Sequence, residues 1–333
     1  MDESDLLMAR KLRLESEGGV YHVINRGNDR GDIFRSPKAR LAFLKCLDEA
    51  CRKTGWRVHA WCVMSNHYHL AIETPKANLV EGMRWLQSTF SMRYNRLRKE
   101  HGHLFQGRYK SLVVDLGSGL GALCHYIHLN PVRAKLCPVT ELGDWPWSSF
   151  SWLMNPKKRA AWYRVDSALK HAGQLSDSTN GRKNYGEYLA WLAEDEPARK
   201  ALNFEKMSTG WAIGSKEFKR ELITDHREAV AVLKQTTEES RSLRKALWED
   251  ELSRLLARVG RQRTDLIIEG KSVGWKLAVA AALKERTTVT NEWLSETLRM
   301  GNKFEVSRKV NAWARSPDRI LARGVGLTPS PKV

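Results

Sequence analysis

The chain has 333 residues and a formal net charge of +18, from 56 Lys and Arg against 38 Asp and Glu. That length is enough for two domains, and a basic globular chain suits nucleic acid ahead of an anionic membrane surface. No apolar run reaches the length of a membrane span, residues 1–17 lack a signal-peptide pattern, and five cysteines without CxxC spacing point to a reduced, cytoplasmic chain and away from a Cys-based zinc site.

Residues 20–25 read as a first strand, followed by a polar loop over 26–31 whose glycines supply the turn. Residues 37–53 carry Leu41, Phe43, Leu44, Leu47 and Ala50 at helical spacing, with Gly55 as the stop. Residues 56–64 and 67–74 are strands joined by Ser65-Asn66, a link short enough to make an antiparallel hairpin. A helix over 79–99 has Val80, Met83, Leu86, Phe90 and Tyr94 on its buried face and Arg84, Arg93, Arg96, Arg98 and Lys99 on a basic one. After a loop over 101–109 come a strand at 110–115, a break at 117–121, and a short helix at 122–130 that Pro131 closes. This order predicts an α+β fold, an antiparallel sheet with helices on one face, close to the ferredoxin-like or RNA-recognition-motif pattern.

Residues 145–150, Trp-Pro-Trp-Ser-Ser-Phe, are expected to pack back on this first domain. Residues 157–182 are polar enough for a partly mobile linker, and 184–202 and 216–222 read as helices. Helices are expected at 238–260, 275–286, 291–299 and 304–315, with Thr290 as an N-cap and a tight turn at 300–302. A helix, a short Gly-containing turn and a basic helix make a helix-turn-helix shape. Residues 317–333 read as a tail. The division expected is therefore a first domain at 1–150, a helical bridge at 151–236 and an all-α helix-turn-helix domain at 237–333.

His67 and His69 stand at i and i+2 on a strand, so both imidazoles share one face. They offer a two-nitrogen bite for one metal ion; two solvated histidines are the plain alternative. Tyr126 and Asn130 stand at i and i+4 on one helix and also share a face. The side-chain oxygen of Asn130 could then complete a three-ligand site with open positions. Tyr126 is a candidate nucleophile or else a core tyrosine; a phenol of ordinary pKa, about 10, needs a polarised phosphorus or a nearby base to attack. Tyr109 is its rival, with packing or DNA contact as the alternative. Tyr68 should point to the opposite sheet face.

Four ordered motifs carry a resemblance. They are Ser65-Asn66-His67-Tyr68-His69-Leu70, Phe105-Gln106-Gly107-Arg108-Tyr109-Lys110, His125-Tyr126-Ile127-His128-Leu129-Asn130-Pro131-Val132-Arg133-Ala134 and Trp145-Pro146-Trp147-Ser148-Ser149. Over residues 20–150 the chain resembles the one-tyrosine HUH transposases, and among them the REP-associated tyrosine transposases, relatives of insertion-sequence transposases that act on single-stranded DNA. Tyr68 fits the hydrophobic middle position of the motif only loosely. The resemblance implies His67, His69 and Asn130 as ligands of Mg²⁺ or Mn²⁺ and Tyr126 as nucleophile. The implied reaction is transesterification of single-stranded, hairpin-forming repeat DNA through a 5′-phosphotyrosine and a free 3′-OH, with no need for ATP. One tyrosine per site makes full strand exchange depend on two active sites or sequential steps, which leaves a homodimer open.

Arg26, Arg30, Arg93, Arg96, Arg108 and Lys110 are candidate phosphate contacts, although a solvated surface charge is the better reading of any one of them alone. Residues 275–315 resemble the helix-turn-helix appended to longer members of the group. Lys303, Ser307, Arg308 and Lys309 would face duplex DNA there, with an ordinary helical bundle as the alternative. A competing function is a non-catalytic regulator that binds repeat DNA through the hairpin-binding domain and the helix-turn-helix; intact His67, His69, Tyr126 and Asn130 favour the enzyme. An RNA-binding sheet protein is a third reading, but the RNP aromatics are missing. No membrane partner is expected, and the location expected is cytoplasmic, at the nucleoid.

Overall fold

The computed structural model describes residues 14–226 and 238–327, so most of the 1–17 stretch and the last six residues of the expected tail lie outside the described residues. The described residues divide into two compact units at Lys219/Arg220.

The first unit is built on a five-stranded sheet of order β2-β3-β1-β4-β5. Its strands are β1 (Gly19–Arg26), β2 (Arg57–Val63), β3 (His67–Thr74), β4 (Lys110–Val114) and β5 (Ala212–Ile213). β1 lies between β3 and β4 and runs antiparallel to both, and β2 and β3 form the expected hairpin. β5 pairs parallel with β4. The sheet is therefore mixed, where the sequence led to an antiparallel one, because a distant segment adds an edge strand.

The helices also depart from one expectation, since they cover both faces. On one side, α1 (Pro37–Thr54) and α2 (Leu79–Arg98) pack on Tyr68, whose ring stacks on Phe43 at 4.7 Å. On the other, α3 (Ser118–His128) packs on the face that carries His67 and His69. The two-residue period of β3 produces this split. α1 starts where Ser36 accepts a hydrogen bond from the Ala39 N–H with Pro37 at the first turn, and it stops at Gly55 in the left-handed region, φ 74°.

The break expected at 117–121 is the first turn of α3. Gly121 lets that helix approach α6 (Asp166–His171) closely: a Cβ at 121 would stand 2.1 Å from the His171 Cβ. The helix ends at His128, two residues short of the expected Asn130, and Pro131 is not its stop. A short α4 (Asn130–Arg133) follows Leu129 with Pro131 in its first turn, where no N–H is needed.

Residues 151–219 belong to this unit and are well packed. They contribute part of α5 (Ser149–Met154), α6, α7 (Thr179–Glu194) and α8 (Glu196–Ala201), and they bury Trp162, Tyr163, Leu169, Tyr185 and Leu189. The Trp-Pro-Trp-Ser-Ser segment returns to the sheet as expected: the Val63 N–H donates to the Trp147 carbonyl at 2.8 Å, and the Val58 N–H to that of Trp162 at 2.9 Å. Both contacts cover the β2 edge, which would otherwise offer unpaired backbone groups. All five cysteines are free, and no helix among the described residues is long and apolar enough to cross a membrane.

After α9 (Lys216–Asp225), which contains the division, the second unit is helical. It comprises α10 (Glu238–Arg258), α11 (Asp265–Ile268), α12 (Gly274–Arg286), α13 (Asn291–Thr297), α14 (Lys303–Arg315) and α15 (Arg319–Val325). Leu252, Leu255, Val279, Leu283, Leu294, Val306 and Val310 form its core. Thr290 caps α13 as expected, and Asn302 caps α14. The expected tail begins instead with α15, started by the Asp318 side chain and anchored by buried Ala322 and Val325.

Candidate active site

The strand register assembles one rim of the site. His67 is paired with Arg26 across β3 and β1, His69 with Ile24, and Ile24 in turn with Lys110 on β4. Their side chains open into a cleft of about 460 Å³. α3 and α4 bring Tyr126 and Asn130 to its other wall, and Asn25, Gln106, Arg108 and Ser208 complete the lining. His67, His69, Tyr126 and Asn130, up to 63 positions apart in the chain (130 − 67 = 63), therefore meet in a single cavity. The His67 and His69 rings stand 5.0 Å apart at 80°, and the His69 and Tyr126 rings 5.8 Å apart.

Hydrogen bonds fix each of these groups. His67 Nδ1 donates to Asn66 Oδ1 at 2.7 Å, an orientation set by Asn66 Nδ2, which donates to the Arg30 carbonyl. His69 Nδ1 lies 2.9 Å from His22 Nε2, and His22 Nδ1 lies 2.7 Å from the Met207 carbonyl oxygen. Tyr126 Oη shares a hydrogen bond of 2.9 Å with Ser208 Oγ. The Arg133 guanidinium sits 4.6 Å from the Tyr126 ring centre, and its Nη1 donates to Asn130 Oδ1 at 3.2 Å. Asn130 Nδ2 is buried with no partner among the described residues.

Burial sets the charge state. It pushes His67 down from 6.5 to about 4, with the Arg26 charge as a smaller cause. His69 is held well below 6.5 by burial first, then by the charges of His22, His67, Arg133 and Arg26. Both imidazoles are therefore neutral near pH 7, and each has its Nδ1 engaged and, among the described residues, no partner on its Nε2. Among the described residues, no group of three or more His, Cys, Asp or Glu side chains could hold a metal ion. The donor set at hand is instead two imidazole nitrogens and the Asn130 amide, whose Oδ1 keeps a second lone pair. Such a mixed nitrogen and oxygen set suits a divalent ion with open positions.

Other expected contacts fall elsewhere. Arg93 forms a two-point ion pair with Glu49, at 2.9 Å for each bond, and so ties α2 to α1. Arg96 is exposed on α2, and neither lines the cleft. Arg30 is exposed on the loop after β1 and is likewise absent from the lining. Tyr109 is buried and is not among the lining residues. Lys303, Ser307, Arg308 and Lys309 lie on α14 of the second unit, where Lys309 Nζ donates to Ser272 Oγ at 2.7 Å. Sequence reasoning missed His22, Phe204, Met207, Ser208 and Arg133. His22 had a signal, a polar residue inside an apolar β1; Ser208 had none.

Comparison with known proteins bears on the same segment. Residues 16–130 match the family described as "Transposase IS200 like". One solved structure, "Structure of the REP associates tyrosine transposase bound to a REP hairpin", is 16% identical and covers 48% of this chain and 93% of its own, with a TM-score of 0.38. No curated protein matches the chain. The stretch similar to that transposase family, residues 16–130, is the one that carries His67, His69, Tyr126 and Asn130.

Proposed function

We propose that the chain is a metal-dependent tyrosine transposase of the REP-associated type, one that cuts and rejoins single-stranded DNA. The observation that carries this reading is the meeting of Tyr126, His67, His69 and Asn130 in one open cleft bordered by Arg26, Arg108 and Lys110. The basic side chains hold backbone phosphates. Tyr126 Oη attacks one phosphorus, the bond from that phosphorus to the 3′ oxygen breaks, and the 3′ oxygen takes up a proton from water as the phenol gives its own to solvent. The products are a 5′-phosphotyrosine and a free 3′-OH, and rejoining is the reverse step. His67, His69 and Asn130 would hold Mg²⁺ or Mn²⁺, which when bound stabilises negative charge on a non-bridging phosphate oxygen. Ser208 and Arg133 keep the phenol oriented.

A hairpin-forming palindromic repeat is the proposed substrate. The second unit would add duplex contacts through α13, the turn at Gly301 and α14, on which Lys303 and Arg308 are exposed. A homodimer would supply two tyrosines for strand exchange. The test is incubation of the full chain with a labelled hairpin oligonucleotide and Mn²⁺. The expected product is an adduct that survives denaturation, lost in Tyr126→Phe and kept in Tyr109→Phe. Hairpin binding without any adduct would instead favour the non-catalytic regulator.

Phosphate contacts have a separate signature. Each one lost from a single strand lowers the slope of log affinity against log salt by about 0.7. Arg26→Ala and Arg108→Ala are each expected to show that change in binding titrations over a salt series, whereas Arg93→Ala, whose guanidinium is taken by Glu49, is expected to leave the slope unchanged.

A further inference from the structure

His22 projects from the same face of the sheet as His67 and His69 and is fully buried there. Both of its ring nitrogens are occupied, by the Met207 carbonyl at 2.7 Å and by His69 Nδ1 at 2.9 Å. It is therefore not itself a ligand. A carbonyl oxygen only accepts, so His22 Nδ1 carries the proton. In the neutral imidazole Nε2 is then an acceptor, and the group it accepts from is His69 Nδ1–H. That leaves the lone pair of His69 on Nε2, the nitrogen with no partner among the described residues. The ring centres of His22 and His69 stand 5.1 Å apart, with the planes inclined at 26°.

We infer that His22 is a positioning residue that locks His69 in its ligand-ready tautomer, with the Met207 carbonyl setting the direction of the relay. The inference deepens the proposed function and rests on its metal reading. Hydrogen bonds behind a ligand fix its tautomer and orientation and raise its basicity. Here the anchor lies outside residues 16–130, the segment shared with the family. The neighbour of Met207, Ser208, holds Tyr126 Oη at 2.9 Å, and Phe204 packs edge-on to the Tyr126 ring at 5.6 Å. One short segment therefore orients both the metal bite and the nucleophile.

The relay is read directly by ¹⁵N–¹H correlation of imidazole nitrogens in the metal-free full chain near neutral pH. The expected spectrum has the His69 and His22 protons on Nδ1 and both Nε2 atoms bare. Affinity for Mn²⁺ is read by electron paramagnetic resonance of the free ion. His22→Phe is expected to release the His69 tautomer and weaken Mn²⁺ binding about 10–100-fold. In His22→Gln an amide can still accept from His69 and donate to Met207, so most of the affinity should return. The wild-type tautomers give the answer even if His22→Phe fails to fold. A wild-type His69 with its proton on Nε2 would overturn the relay, as would a folded His22→Phe with unchanged tautomer and Mn²⁺ affinity. A wild type with the expected tautomers that binds no Mn²⁺ would support the relay and remove the metal reading instead.

Discussion

Replacing both His67 and His69 by alanine is expected to leave the chain folded and to lower the rate of Mn²⁺-dependent strand cleavage about a thousandfold or more. A Lewis-acidic ion contributes several kcal/mol to a phosphoryl transition state, and each 1.4 kcal/mol or so is tenfold in rate. Both side chains face the cleft, so truncation opens space continuous with solvent and leaves no sealed cavity. The pH dependence has a definite sign. An ordinary histidine loses its lone pair to a proton as pH falls through 6.5, but burial holds His67 at about 4. Metal-dependent cleavage should therefore persist at pH values just below 6.5 and be lost as pH approaches 4. Single-turnover rates with Mn²⁺, with a chelator as control, check both points. Full activity in the double variant would remove the metal site from the account.

The first unit is also expected to lose stability steeply in mild acid. Burial lowers His22 to about 4 and His128 to about 3, and it holds His125 well below 6.5. His125 and His128 lie on the side of α3 away from Tyr126, and both bond to Tyr185 Oη, at 2.9 and 2.8 Å. His128 Nε2 also bonds to Ser149 Oγ, and His125 Nε2 to His171 Nδ1. In the unfolded chain these imidazoles return to about 6.5. Between that value and the folded ones the unfolded state binds more protons, so the stabilisation is complete above 6.5 and is lost as pH falls. A displacement of one pH unit is worth about 1.4 kcal/mol, against a total domain stability of about 5–15 kcal/mol. Several such groups should lower the melting temperature by roughly 10 °C or more between neutral pH and pH 5, at about 2–4 °C per kcal/mol. Melting curves across that range test it; a flat profile would mean that the network takes up protons without opening.

The local features of this fold were legible because they depend on near neighbours. The alternation in β3 placed His67 and His69 on one face and Tyr68 on the other, and the short Ser65-Asn66 link made the hairpin. Gly55 and Thr290 marked helix ends through capping that spans only a few residues. The spacing of Tyr126 and Asn130 put both on one side of the helix, and both line the cleft.

What stayed hidden depends on register and on distant segments. His22 meets His69 only because β1 pairs with β3 in one particular register. Ser208 reaches Tyr126 across 82 positions, and β5 has only two residues, too short to alternate. Residues 151–219 read as a bridge because their apolar side chains are thinly spaced among polar ones, yet Trp162, Tyr163, Tyr185 and Leu189 all reach the core. The helices on two faces stayed hidden for the same cause: helices were expected on one face, and nothing local in α3 shows that it crosses to the face of His67 and His69.

The central claim is that Tyr126 is the nucleophile, and the most direct measurement is the mass of the covalent product. After reaction of the full chain with a hairpin oligonucleotide and Mn²⁺, nuclease trimming and proteolysis, mass spectrometry should find a nucleotide phosphate on the peptide containing Tyr126, with fragment ions placing it on that residue. A phosphate on Tyr109 or any other side chain would contradict the account, as would cleavage that leaves no modified peptide.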